Sequence, residues 1–169
     1  MENTYWIEAM NEKVELMKCR IPSLQIYQSV ISDVNDDELT FYVTNNGQSS
    51  SILEFGTHAV NHPQVVVSST RLVKTIRMDN LITKESIDMS RVNFINLDIQ
   101  GAELKALKGM ESYLDKIDYI YTEVNTEEVY KGCCKMEELD VFLEPHGFKR
   151  VAQHIYKNLG WGDAFYMKF

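Results

Sequence analysis

The sequence predicts one α/β domain over residues 1–169, built on a largely parallel β-sheet with an antiparallel finish. Three observations carry this. Strand-like and helix-like stretches alternate through the second half of the chain. The stretch "DYIYTEV" (Asp118–Val124) is a near-continuous apolar run, as expected of a strand covered on both faces. The chain then closes on "FKRVAQHIY" and "GDAFYMKF", two strand-like runs around a turn region at Asn158–Trp161 that reads as a hairpin.

Each element has its own local reason. "TYWIEA" (Thr4–Ala9) is apolar and aromatic and reads as a buried strand ending on Glu8. Asn11 is placed to cap a helix that carries Val14, Met17 and Ile21 on one side, and Pro22 closes it. "LQIYQSVIS" (Leu24–Ser32) is a second strand. "DVNDDE" then turns into "LTFYVT" (Leu39–Thr44), where Leu39, Phe41 and Val43 alternate with more polar neighbours, the pattern of an antiparallel excursion. "NNGQSSS" interrupts, and Val65–Val67 and "RLVKTIRM" (Arg71–Met78) follow as strand-like runs. Phe94–Leu97 is the next strand, and Leu104, Leu107, Met110 and Leu114 share one stripe of the helix after it. Met136, Leu139, Phe142 and Leu143 form another amphipathic helix, with Gly147 as its stop signal.

Composition narrows the function classes. Hydrophobic content of 44% and charged content of 25% are those of a globular domain. A formal charge of −8 with no basic stripe argues against nucleic acid as a partner. No run approaches the ~20 apolar residues of a membrane span, and the first ten residues lack the pattern of a secretion signal. Cys19, Cys133 and Cys134 show no CxxC spacing, and an odd number of thiols fits a reducing, cytoplasmic setting.

The chemistry-bearing residues sit at strand ends. Glu8, Asp98 and Glu123 end or nearly end three strands, and Asp33 follows a fourth. In open α/β sheets ligands bind outside the carboxyl ends of the strands, so such acids face a crevice rather than the core. An acid at the end of the strand after the first crossover commonly holds a ribose diol, a role that suits Glu8. Any one of these acids could instead be a solvated strand end.

The segments "NFINLDIQGAELKALKGM", "YIYTEVN", "FYVTNNGQSSSIL" and the closing "GFKRV…GWGDAFYMK" resemble FkbM-type methyltransferases, which use S-adenosylmethionine. The resemblance runs from about Tyr5 to Phe169. It implies a Rossmann-like class I methyltransferase sheet of seven strands, mostly parallel, with an antiparallel C-terminal hairpin. It also implies cofactor contacts at Glu8 and Ala9 for the ribose, at Asp33 near the adenine, and at Asp98 and Gln100. Glu103 falls in the segment that faces the acceptor. One departure stands out. Members begin with a strand and a glycine-rich turn, roughly DxGxxxG, and only "MENT" precedes the first strand here. Strand one thus looks to be missing, and the expectation is a fragment of a longer product, ahead of a sheet that closes differently or a partner segment that supplies the strand.

The remaining candidates are less specific. His58 and His62 stand at i and i+4, the spacing of a metal pair on a helix, but Gly56 and Pro63 argue for a loop and no third ligand follows, so no metal is expected. Ser49, Ser50 and Ser51 could bond an acceptor or satisfy backbone groups of a turn. Trp161 could line the acceptor pocket or cap the core. The expected activity is methyl transfer to a hydroxyl oxygen of a sugar or another small metabolite. Such a hydroxyl must lose its proton during attack, which makes Asp98 the first candidate base, with Glu123 and His58 behind it. The alternative is a non-catalytic methyltransferase-like scaffold that has lost its cofactor site, acting in binding or assembly, with a homo-oligomer among its forms.

Overall fold

A computed structural model describes residues 3–169; Met1 and Glu2, where the expected domain begins, lie outside the described residues. Strand β1 (Tyr5–Glu8) runs into helix α1 (Asn11–Arg20), which returns the chain to β2 (Gln25–Gln28), parallel to β1. Asn11 is the first helical residue and not the cap. The Met10 N–H is bonded instead by Glu8 Oε1 at 2.8 Å, two residues upstream.

The expected second strand, Leu24–Ser32, divides at Ser29. Its N–H bonds Glu8 O as the last link to β1, and the chain beyond it, β3 (Val30–Ser32), joins a different sheet. There β4 (Glu38–Thr44) pairs antiparallel with β5 (Val67–Arg77), the expected excursion, and β3 pairs in parallel with the end of β5. Between β4 and β5 the chain makes only the short helix α2 (His58–Asn61), and α3 (Met78–Lys84) follows β5 directly.

The second half follows the sequence pattern closely. Strand β6 (Phe94–Leu97) leads through α4 (Glu103–Lys108) to β7 (Tyr119–Asn125), parallel to it. Helix α5 (Met136–Leu143) then leads to β8 (Phe148–Ile155) and β9 (Trp161–Lys168), which close the sheet antiparallel in the order β6-β7-β9-β8. Gly147, at φ +85°, turns the chain from the α5 region into β8.

The architecture is α/β, but the single, mostly parallel sheet is not what forms. Among the described residues the strands divide among three sheets, with as many antiparallel pairings as parallel ones. One core nevertheless serves both halves. Leu81, Leu107, Leu114, Ile117, Ile120, Leu139 and Leu143 have no exposed surface, and Tyr5 and Ile7 of β1 pack on the same cluster as Ile95 of β6. Strands β1 and β6 thus share a core without pairing to each other. A cavity of about 460 Å³ lies between them, lined by all four residues of each. Side chains alternate across a strand, so a cavity that meets every residue runs along the backbone edges. Among the described residues no helix is long and apolar enough to cross a membrane.

The expected long helix through Leu114 is broken. Helix α4 stops at Lys108, and a 3-10 turn over Glu111–Lys116 carries Leu114 back into the core. Gly109 explains the break. A Cβ there would lie 2.4 Å from the carbonyl oxygen of Ser32 in β3, so the helix end can pack on that strand only without a side chain. Gly109→Ala is expected to cost about 1–3 kcal/mol, read as a lower urea midpoint. An unchanged midpoint would mean that this approach of helix end to strand does not hold in solution.

Candidate functional site

The C-terminal end of β6 passes into α4 through Asp98–Ala102. Gln100 and Gly101 there take left-handed backbone, at φ +58° and +95°. The carboxyl group of Glu103 fixes this loop. It has no exposed surface, and its Oε1 accepts the N–H groups of Ile99 and Gly101, each at 3.1 Å. Among the described residues its Oε2 has no hydrogen-bond partner. Burial is the largest influence on this acid and pushes it up to about 7, against the two N–H bonds that favour its charged form. The first turn of a six-residue helix is therefore not enough to hold it firmly ionised.

Glu123 on β7 is also buried, and its side chain accepts from Gln100 Nε2 at 3.2 Å. Burial, then the negative charges of Glu103, Asp98 and Asp163, push it up to about 9. A carboxyl group raised in this way favours its protonated form, which weakens it as a base near neutral pH. Gln100 Nε2 also donates to Asp98 Oδ1, and Tyr130 Oη donates to Gln100 Oε1. Asp98 itself is exposed at the cavity wall.

The cavity gathers a subset of the residues singled out in the sequence: Glu8, Ala9, Ser50, Ser51, Asp98 and Gln100. Glu8 stands at its β1 end, with Oε2 3.6 Å from Lys13 Nζ, and that ammonium group also donates to Gly47 O at 2.7 Å. The serine run bonds its own turn and, through Ser51, the loop after β6. Ser51 Oγ donates to Gln100 O at 2.7 Å and accepts the Leu53 N–H at 3.0 Å. Ser50 Oγ accepts the Thr44 N–H, and Ser49 Oγ accepts from Asn46 Nδ2.

Other candidates lie outside the cavity lining: Asp33, Ser49, His58, Glu103, Glu123 and Trp161. Asp33 is engaged by the Ser32 hydroxyl at 3.0 Å and by Lys105 at 3.4 Å. His58 is buried, stacked on Phe55 at 4.2 Å, and burial holds its imidazole below the usual range. Its ring lies 5.0 Å from that of His62. Among the described residues no group of three or more His, Cys, Asp or Glu is arranged to hold a metal ion. Trp161 packs beside Tyr156 at 4.4 Å and on the Val129–Tyr130–Cys133 cluster. Cys133 and Cys134 are buried and unbridged. Sequence reasoning missed Lys13 and Tyr130. Lys13 reads as an ordinary helix-surface charge, and Tyr130 lies in an aperiodic stretch, "EEVYKGCC", that carries no placement signal.

Comparison with known proteins bears on the family of the chain. The family model for the methyltransferase FkbM domain matches residues 2–150. The 2-O-methyltransferase NoeI of Sinorhizobium fredii is 27% identical over 137 residues, covering 77% of this chain and 54% of that protein. The hexuronic acid methyltransferase AglP of Haloferax volcanii is 31% identical over 78 residues, covering 46% of this chain and 30% of that protein. The chain thus spans about half the length of the first relative and about a third of the second. No solved structure matches it.

The raised Glu123 acid sets a pH dependence. The native state keeps a proton that the unfolded chain releases above about 4.5, so this group's contribution to stability falls as pH rises from there through about 9. Glu123→Gln removes the titration but keeps an acceptor for Gln100. Its stability relative to the unaltered protein is expected to improve across that window, by more than about 1 kcal/mol between pH 5 and pH 9. Urea unfolding at both pH values measures this, and a difference independent of pH would show that Glu123 ionises as freely in the native state as in the unfolded one.

Proposed function

The chain belongs to the FkbM methyltransferase family, and from that membership we propose that it carries out S-adenosylmethionine-dependent methyl transfer to a hydroxyl oxygen of a sugar. The observation that supports this most is the single cavity joining the Glu8–Ala9 end of β1 to the Asp98–Gln100 end of β6. Its volume, about 460 Å³, lies in the range of small-molecule sites. The residues present fit the donor. Among the described residues Glu8 Oε2 is held only by a long contact to Lys13 and is suited to a ribose diol, while Met10, Phe41 and Ile52 offer apolar wall. The relatives' names, a 2-O-methyltransferase and a hexuronic acid methyltransferase, support a sugar acceptor.

The donor brings an electrophilic methyl group on a sulfonium. The chain's own task is to hold the acceptor in line and take its proton. Asp98 is assigned the base, because it stands at the cavity and only its Oδ1 is bonded by protein among the described residues. Glu123 lies behind it, outside the cavity lining, and its burial opposes the charged form a base needs. The buried, unbridged Cys133 and Cys134 fit the reducing conditions of a cytoplasm.

The open edges of β1 and β6 favour a second reading, a domain whose site is completed by one more strand or that serves binding alone. Each edge presents N–H and C=O groups without sheet partners, and a parallel strand between them would join the sheets of β1 and β6 around the shared core. Further polypeptide, a second copy or a partner segment could supply it.

The test is transfer of labelled methyl from S-adenosylmethionine to hexuronic-acid-bearing and neutral oligosaccharides, together with calorimetric titration of the donor. Asp98→Asn is expected to lower turnover about a hundredfold with the fold retained. Glu8→Ala is expected to weaken donor binding by about 1.5–3 kcal/mol through loss of charge-assisted hydrogen bonds. Full activity of Asp98→Asn would make its carboxylate structural. Absence of both donor binding and transfer would leave the binding-domain reading.

A further inference from the structure

We propose that Tyr130 is a positioning residue for Asp98, acting through the side-chain amide of Gln100; this rests on the reading of Asp98 as the base. A glutamine amide has two ends of nearly equal shape, and its bonding partners decide which faces which way. On one side of Gln100 stand Asp98 Oδ1 and Glu123 Oε2, both reached by Nε2. On the other stands Tyr130 Oη, which donates to Oε1. That hydroxyl is the one donor to Oε1 among the described residues, so it fixes the NH2 end toward the two carboxyl groups.

The backbone beneath is already held. Ser51 Oγ ties Gln100 O, and Glu103 Oε1 ties the N–H groups on either side of Gln100. Gly101 lies against Tyr130, where an added Cβ would come 3.1 Å from the Tyr130 Cβ. What remains free is the amide end itself. Without the Tyr130 hydroxyl, Oε1 has no protein donor among the described residues, and only the Nε2 bonds to Asp98 and Glu123 hold the amide. The amide is then fixed at one end alone, and the bond that orients the Asp98 carboxylate at the cavity loosens. Tyr130 is 1% exposed and outside the cavity lining, which separates it from a residue that touches substrate. The hydroxyl also lies 3.4 Å from Ser49 O, which links the serine turn to the same point.

Nuclear magnetic resonance of the 169-residue chain tests this without an acceptor. The Gln100 side-chain NH2 pair is identified by its loss in Gln100→Leu. In Tyr130→Phe, which keeps the ring, that pair is expected to shift and to exchange with water about tenfold faster, as a buried network does when it loses a member. A pair that keeps its shifts and exchange rate overturns the inference. If Tyr130→Phe disturbs the backbone amides globally, Gln100→Glu decides instead. It keeps an acceptor for Tyr130 and removes the donor to Asp98, so turnover in the methyl-transfer assay should fall about tenfold or more. Full turnover in Gln100→Glu overturns the inference. Failure of the base assignment is told apart by Asp98→Asn. If that variant is inactive while Tyr130→Phe and Gln100→Glu are unaltered, only the positioning role falls. If it is fully active, the base role falls and the resonance result still reports on the bonding.

Discussion

Glu103 gives up all contact with water so that one of its oxygens can hold the N–H groups of Ile99 and Gly101. The end of β6 depends on this. Two consecutive residues with positive φ leave N–H groups that neither strand nor helix can bond, and an unbonded N–H in that position would cost about 1–3 kcal/mol. The carboxyl group supplies the missing acceptor from within the chain. In doing so it fixes where Gln100 projects, and through Gln100 where Asp98 faces. The cost appears in its own titration, since burial opposes the charge that would make it the better acceptor.

The same economy explains the neighbouring acids. Glu103 and Glu123 are buried near one end of β6 and β7, and burial there opposes the charged form of both. Glu123, opposite Asp163 in the strand register, is pushed up further, because the neighbouring negative charges add to its burial. The apolar core beneath supplies the rigidity. Each fully buried Leu or Ile contributes about 1.5–3 kcal/mol, and the cluster joins the floor of β1 to that of β6 although no hydrogen bond links those strands.

Part of the candidate site was legible in the sequence, because acids at strand ends mark where a crevice can form. Alternation and apolar runs located β1, β6, β7 and the β8–β9 hairpin, Glu8 and Asp98 follow from where β1 and β6 stop, and Gln100 came from the family resemblance. Which acids meet the cavity was not legible. Asp33 belongs to the strand end by spacing, yet Lys105 and Ser32 claim it, and both contacts depend on how β3 leaves the sheet of β1. Tyr130 was invisible for a related reason. Its role is a single hydroxyl contact across thirty residues of chain, and no local pattern encodes that.

The sequence by itself determined the α/β class, the antiparallel finish and the set of acids at strand ends, since these rest on short-range periodicity and on residue types at element ends, while the β6–α4 segment was marked by its resemblance to the FkbM family. Only the tertiary structure decided that Leu24–Ser32 splits between two sheets, that α4 stops at Gly109, that β1 and β6 flank an open cavity, and that Glu123 is buried while Asp98 is exposed. Those outcomes turn on close approach and burial between segments far apart in the chain. A pattern of residue types records which side chains prefer the interior, but packing alone fixes which of them reach it together.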